Sequence, residues 1–316
     1  MRVLRTVVSI IVGLFLAPPV FAQQVGSGPV IWHDRGDVSV LDLMTGSGGK
    51  GHEPGTNFKF IKESLGGTAP KFEVEDENGA IWKVKLGEEV KPETAATRLI
   101  WAAGYIVDDD YYRPQIHVQG MKRLARGQEF VSGDTVTGVR LERARKSDDL
   151  NGWSWYENPF TGTRELNGLK VMMALLNAWD LKQINNGSAD GQYGVDDLGA
   201  SFGQTGNSFT RSKGVMKDYA RATFIDVVTP TYVDFVMHSR PFLLSIFNFP
   251  NYRFRTRMES VVKRIPIADV RWIGSRLGQL STEQIRDSFR AAGFSFREVN
   301  GYTKVVMQRI AALKKL

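Results

Sequence analysis

Asn177-Ala178-Trp179-Asp180-Leu181-Lys182-Gln183-Ile184-Asn185, running on through Asn186-Gly187 and Gly191-Gln192-Tyr193-Gly194-Val195 to Asp197-Leu198-Gly199, is the stretch on which the reading of this chain turns. An Asp is followed five residues later by an Asn, and Asp-x-Gly comes soon after. One carboxylate can orient an attacking hydroxyl. An amide oxygen and a second carboxylate are hard ligands that suit magnesium held against phosphates. Taken singly, Asp180 caps one turn and Asp197 begins another; the spacing gains meaning only from what precedes it.

Working outward, Leu169, Met172, Met173 and Leu176 recur at helical spacing, so a helix over Leu166 to Ala178 delivers Asp180 into a loop. The Met pair belongs to a core. Asn185-Asn186-Gly187 reads as a turn, Gly191 to Val195 as a short strand leading to Asp197, and Ser201 to Gly214 as a mobile loop rich in Gly, Ser and Asn.

Further upstream, Phe72 to Asp76 alternates apolar and charged residues, Asn78-Gly79 signals a hairpin turn, and Ile81 to Leu86 returns as a strand. Trp82, Val84 and Leu86 face one way, Lys83 and Lys85 the other. Before the hairpin stands Gly66-Gly67-Thr68-Ala69-Pro70-Lys71. A glycine pair lets backbone N–H groups approach a phosphate, and a lysine on the next strand reaches the same ligand. Alone, these residues describe an ordinary solvated hairpin. A helix of about three turns follows from Pro92 to Gly104, with Glu93 in its first turn. The helix dipole favours a carboxylate there, and pairing with the strand lysine is the competing role.

Asp108 to Tyr112 reads as a solvated acidic turn, and Ile116–Val118 and Glu129–Leu141 as strands. The segment 143–164 looks mobile, with Trp153 and Trp155 set to pack against a second lobe. Beyond Ala220 the pattern is mostly helical, with a capped start at Ser281–Gln284, breaks at Gly293 and Gly301, and an amphipathic end helix over Lys304–Leu316.

Arg2 and Arg5, an apolar run from Val7 to Ala17 too short to span a bilayer, and Val20-Phe21-Ala22 make a secretory signal. Cleavage near Ala22 would export the chain to a periplasmic or extracellular space, with no stable membrane span. The formal charge is +7, and about +5 once Arg2 and Arg5 are set aside. That surplus is dispersed, so nucleic acid is not an expected partner. Absence of cysteine removes disulfides and thiolate sites, and His33, His52, His117 and His238 make no ligand-spaced pair. The glycine-rich segment over 46–51 lacks the Gly-Lys-Ser/Thr of a phosphate loop and reads as a flexible lead-in.

In order, glycine loop, strand lysine, helix glutamate, Asp-x4-Asn and Asp-x-Gly resemble the motifs of the atypical protein-kinase-like proteins related to HipA-type kinases. Two departures stand out. The glycine pair is not Gly-x-Gly-x-x-Gly, and Ala178-Trp179 replaces the usual His-Arg. The resemblance implies an α+β, bilobal protein-kinase-like fold, with a small β-rich N-lobe over 58–120 and a mainly helical C-lobe over 121–316. It places residues 1–22 as signal and 23–57 as a flexible segment before the lobes. It implies ATP and magnesium as cofactors. Gly66, Gly67, Lys71, Lys85 and Glu93 would serve the nucleotide (Lys83 being the alternative to Lys85). Asp180 would orient the acceptor hydroxyl, and Asn185 and Asp197 would bind the metal. The function implied is phosphate transfer to a hydroxyl-bearing acceptor, protein or small molecule; the alternative is an exported pseudokinase or binding scaffold. A hydrolase using Asp180 and Asp197 as its carboxylate pair ranks last, for want of a nucleophile–base arrangement.

Overall fold

The computed structural model describes residues 28–143, 152–205, 211–237 and 249–316. The expected signal, residues 1–22, lies outside these, as do residues 144–151 and 206–210 of the two segments expected to be mobile.

Alternating apolar residues build a closed barrel. Its strands are β1 (Asn57–Ser64), β2 (Lys71–Asp76), β3 (Ile81–Lys85), β4 (Asp110–Gln119) and β6 (Thr135–Arg143), with short β5 (Val131–Ser132) beside β6. The order is β3-β2-β1-β4-β6, and β6 pairs back onto β3 to close the ring. Only β1 and β4 run parallel; the other pairings are antiparallel. Phe72, Val74, Trp82, Val84, Leu86, Val136, Val139 and Leu141 fill the interior. The Trp82 indole N–H donates to Asp76 Oδ2 at 2.8 Å, and Asp76 Oδ1 accepts from the Asn78 and Ala80 amides at 2.9 Å each. One carboxylate thus satisfies a buried indole and shapes the turn around Asn78-Gly79. The division expected at residue 120 falls inside this sheet, because β6 continues to Arg143.

α1 (Val90–Ala102) packs on β4 and β6 and on a helix of the second core, so almost all its residues are buried. That second core gathers α2 (Arg164–Leu176), α3 (Met216–Arg221), α5 (Ile267–Leu277), α6 (Thr282–Ala291) and α7 (Phe296–Lys315), with α4 (Phe249–Ser260) alongside. Capping boxes start α6, at Ser281 and Gln284, and α7, at Ser295 and Glu298. Phe202, Tyr219, Phe289 and Tyr302 form an aromatic cluster, Phe289 stacking on Tyr302 at 5.0 Å between centroids.

Several expectations need correction. The described stretch after Ala220 is mostly helical as expected, but β9 (Ile225–Val228), β10 (Tyr232–Phe235) and β11 (Ile265–Pro266) add a three-stranded sheet that the pattern did not suggest. Gly301 lies inside α7, whereas Gly293, at φ +72°, does separate α6 from α7. Asn186 and Gly187 begin a strand rather than a turn. β7 (Asn186–Ala189) and β8 (Gln192–Val195) turn at Asp190-Gly191, at φ +52° and +77°. From residue 28 onward the lead-in is packed, not free. Ile31, Val38 and Leu43 enter the second core, and the Trp32 indole donates to Ala103 O at 2.8 Å. Its glycines concealed three well-spaced apolar anchors. Among the described residues no helix is long and apolar enough to cross a membrane.

Candidate functional site

Lys85 ends β3 on the outer face of the barrel, where α1 covers it, so a lysine that alternation points away from the core is nonetheless buried. Its ammonium lies 2.7 Å from Glu93 Oε2, 3.3 Å from Asp197 Oδ1 and 3.4 Å from Glu89 Oε2. This is not the solvated hairpin its sequence alone describes. Burial would lower the Lys85 pKa; Glu93, with Asp197 and Glu89, overcomes it and the opposing Arg140, and raises it. Glu89, Glu93 and Asp197 bring carboxylate oxygens within 4.8 Å of one another. The lysine ammonium sits among them and supplies the cation such a cluster needs. Lys83, the alternative, points elsewhere, 3.7 Å from Glu142 and a third exposed.

A second layer was not legible beforehand. Arg140 on β6 is the direct cross-strand partner of Lys85. Its guanidinium reaches Glu93 Oε1 at 3.2 Å, Asp110 Oδ1 at 2.8 Å and Glu142 Oε2 at 2.7 Å. Asp110 therefore belongs to a buried network, fully enclosed, and the solvated acidic turn expected at 108–112 is instead the start of β4. Burial raises the Glu93 pKa, and Arg140 and then Lys85 oppose it. Asp110 is raised by burial too, against the pull of Arg140. Two cations within 3.2 Å of one carboxyl, on strands that otherwise set Lys85 against Arg140, oppose the rise that burial imposes on Glu93 without cancelling it. Glu89, Asp110, Arg140, Glu142 and Lys213 all escaped the sequence reading. The one available signal was an arginine and a glutamate at alternate positions of a strand otherwise facing a core.

α2 ends at Asn177, whose left-handed backbone (φ +52°, ψ +42°) turns the chain toward Asp180. The Asn177 amide donates to Gly203 O, tying the helix end to the segment after Asp197-Leu198-Gly199. Asn185 donates its side-chain amide to Asp180 O at 2.7 Å, which directs the amide oxygen to other partners. The Asp196 amide donates to Asn185 O at 3.0 Å, so the β7–β8 hairpin returns the chain beside its own start. Asp180, Asn185 and Asp197 consequently line one cleft, with Leu181, Leu198 and Ala200 among its apolar walls. Lys182 lies 2.8 Å from Asp180 Oδ2. Against the burial that would raise it, Lys85 and then Arg140 hold the Asp197 carboxyl below its usual value. It is an anion at neutral pH.

Lys71 is in register with Lys85 across β2 and β3, which sets the preceding Gly66-Gly67 loop at the Lys85 end of the barrel. Both glycines are exposed, and Gly67 is left-handed at φ +71°. Arg126 pins this loop, donating to Gly67 O at 2.7 Å. From the far side Lys213 reaches Glu89 at 2.6 Å and Glu88 at 3.2 Å, linking the segment after Gly199 to the start of α1. Oxygen donors from Asn185 and Asp197 in one cleft are of the kind magnesium takes, so the residues fit that ion.

No family model matches the chain, and no curated protein matches its sequence. Among solved structures it matches the crystal structure of a Helicobacter pylori proinflammatory kinase, CtkA. The TM-score is 0.50 and the identity 12%, over 83% of this chain and 98% of that one. This chain is similar in fold to that kinase. At such identity the likeness concerns the fold alone, and the site must be argued from its own geometry.

Proposed function

We propose that this chain is a kinase-like phosphotransferase with two lobes, the barrel and the helical region, binding ATP and magnesium between them and passing phosphate to a hydroxyl-bearing acceptor. The observation that carries this reading is the convergence of Asp180, Asn185 and Asp197 on one cleft, with Asp197 only 3.3 Å from a lysine already paired to Glu93. In this reading Lys85 holds the nucleotide phosphates and Glu93 orients it. Gly66 and Gly67 offer backbone N–H groups, and Lys71 adds a cation beside them. Asp180 accepts a hydrogen bond from the acceptor hydroxyl and aligns it for attack. Asn185 and Asp197 hold the magnesium, which when bound neutralises charge on the phosphates. We further propose that residues 1–22 direct export, which places the site outside the cytoplasm and makes the nucleotide supply part of its biology.

The test is transfer of labelled phosphate from ATP to a panel of protein and small-molecule hydroxyl acceptors. Transfer lost in Asp180→Ala, with nucleotide binding retained, supports the assignment. Binding without transfer by the wild type on every acceptor would instead favour a nucleotide-binding scaffold.

A further inference from the structure

Lys85 and Arg140 are directly opposed on the two strands that close the barrel, where like charges repel. Glu93 resolves the conflict by dividing its carboxylate, Oε2 to Lys85 at 2.7 Å and Oε1 to Arg140 at 3.2 Å. Arg140 is itself held, since Asp110 and Glu142 take its two terminal nitrogens at 2.8 and 2.7 Å. A guanidinium fixed in its plane by two carboxylates holds a rigid positive charge beside a third, Glu93, whose Oε1 it approaches without a hydrogen bond. An ammonium on a flexible stem does not hold its charge in place that way. The orientation of Glu93 is therefore set from the barrel wall as well as from its own helix.

We propose that Arg140 is a positioning residue for the nucleotide site, acting through Glu93 on Lys85. This rests on the nucleotide-binding reading above and extends it to a residue which does not line the cleft. Because Arg140 takes one oxygen of Glu93, Lys85 shares that carboxylate rather than answering it alone. Its longer contacts, to Asp197 and Glu89 at 3.3 and 3.4 Å, are the ones a phosphate oxygen would replace. Without Arg140, Glu93 keeps Lys85 as its one remaining close cation and its orientation is set by α1 alone, so the ammonium is less well placed.

The experiment is a double-mutant cycle on ATP affinity, measured calorimetrically with magnesium present, with folding checked by thermal melting. Arg140→Lys keeps the charge and loses the fork, and is expected to weaken binding about ten-fold. Glu93→Gln should weaken it comparably, and the double variant should be no weaker than the worse single. Independent losses that multiply in the double, or wild-type affinity in folded Arg140→Lys, would overturn the inference. Should Arg140→Lys not fold, Asp110→Ala removes the 2.8 Å partner that aims the guanidinium; weakened binding is expected there, and wild-type affinity overturns the inference. If the wild type itself binds no ATP, the nucleotide reading falls and this inference with it. Binding by the wild type with unaffected variants removes this inference only.

Discussion

Replacing Lys85 by Met puts a chain of similar length where the ammonium stood, and asks what the buried carboxylates do without it. Glu93 is 1% exposed and keeps Arg140 at 3.2 Å. Asp197 is 44% exposed, so water screens most of its loss. Breaking a buried ion pair by removing one partner costs about 3–5 kcal/mol, and the surviving arginine sets the expectation at about 3. A pH signature follows. Glu93 is already raised by burial, with Lys85 one of two groups opposing it; in Lys85→Met the folded-state value rises further. The folded state then holds a proton that the unfolded chain, near 4.5, has released. Stability of the variant must fall as pH rises through that interval, by up to about 1.4 kcal/mol per pH unit. Urea denaturation at pH 7, 8 and 9, spanning the value of about 8 to which burial already pushes Glu93, measures both effects. Lys83→Met is the control: its 3.7 Å contact on a side chain one-third exposed should cost less than about 1 kcal/mol. Removing both charges, in Lys85→Met/Glu93→Gln, should recover part of the loss. A cost below about 1 kcal/mol for Lys85→Met, or a loss that does not grow with pH, would refute the reasoning about this cluster.

Glu142 shows the opposite pH behaviour. Burial would raise it, but Arg140, Lys83 and Lys85 hold it below its ordinary 4.5, so its contribution is present above that value and lost as pH falls through the lowered one. Unfolding curves of wild type and Glu142→Gln should therefore converge in acid, and parallel curves from pH 6 to 3 would count against the assignment. Gly191 sits at φ +77° in the turn that returns Asp197 to Asp180; Gly191→Ala should lose about 1–2 kcal/mol, read as a lower denaturation midpoint, while an unchanged midpoint would mean the turn is not held.

Elements whose signal was local were legible. Alternation over Phe72–Asp76 and Ile81–Leu86 located the β2–β3 hairpin, and the capped start at Ser281 located α6, because each depends on residues only a few positions apart. That Asp180, Asn185 and Asp197 come to line one cleft was legible for the same reason, their spacing being that of one loop and one hairpin. What could not be read was burial created by distant partners. Asp110 looks like a solvated acid until β6 brings Arg140 beside it, thirty residues on. Lys85 looks like a surface lysine until α1 covers it. Closure of the barrel by β3 and β6 leaves no local mark, since pairing in a ring is a property of the whole strand order. The packed lead-in after residue 28 was missed through its composition, where glycines outnumber the three anchors that matter.

The proposed magnesium-dependent nucleotide site at Asp197 and Lys85 is tested most directly by calorimetric titration of the protein with ATP. Saturable binding that requires magnesium, is abolished in Asp197→Ala and survives in Lys83→Met is the expected result. No heat of binding at millimolar ATP with magnesium, or binding unchanged by Asp197→Ala, would contradict it.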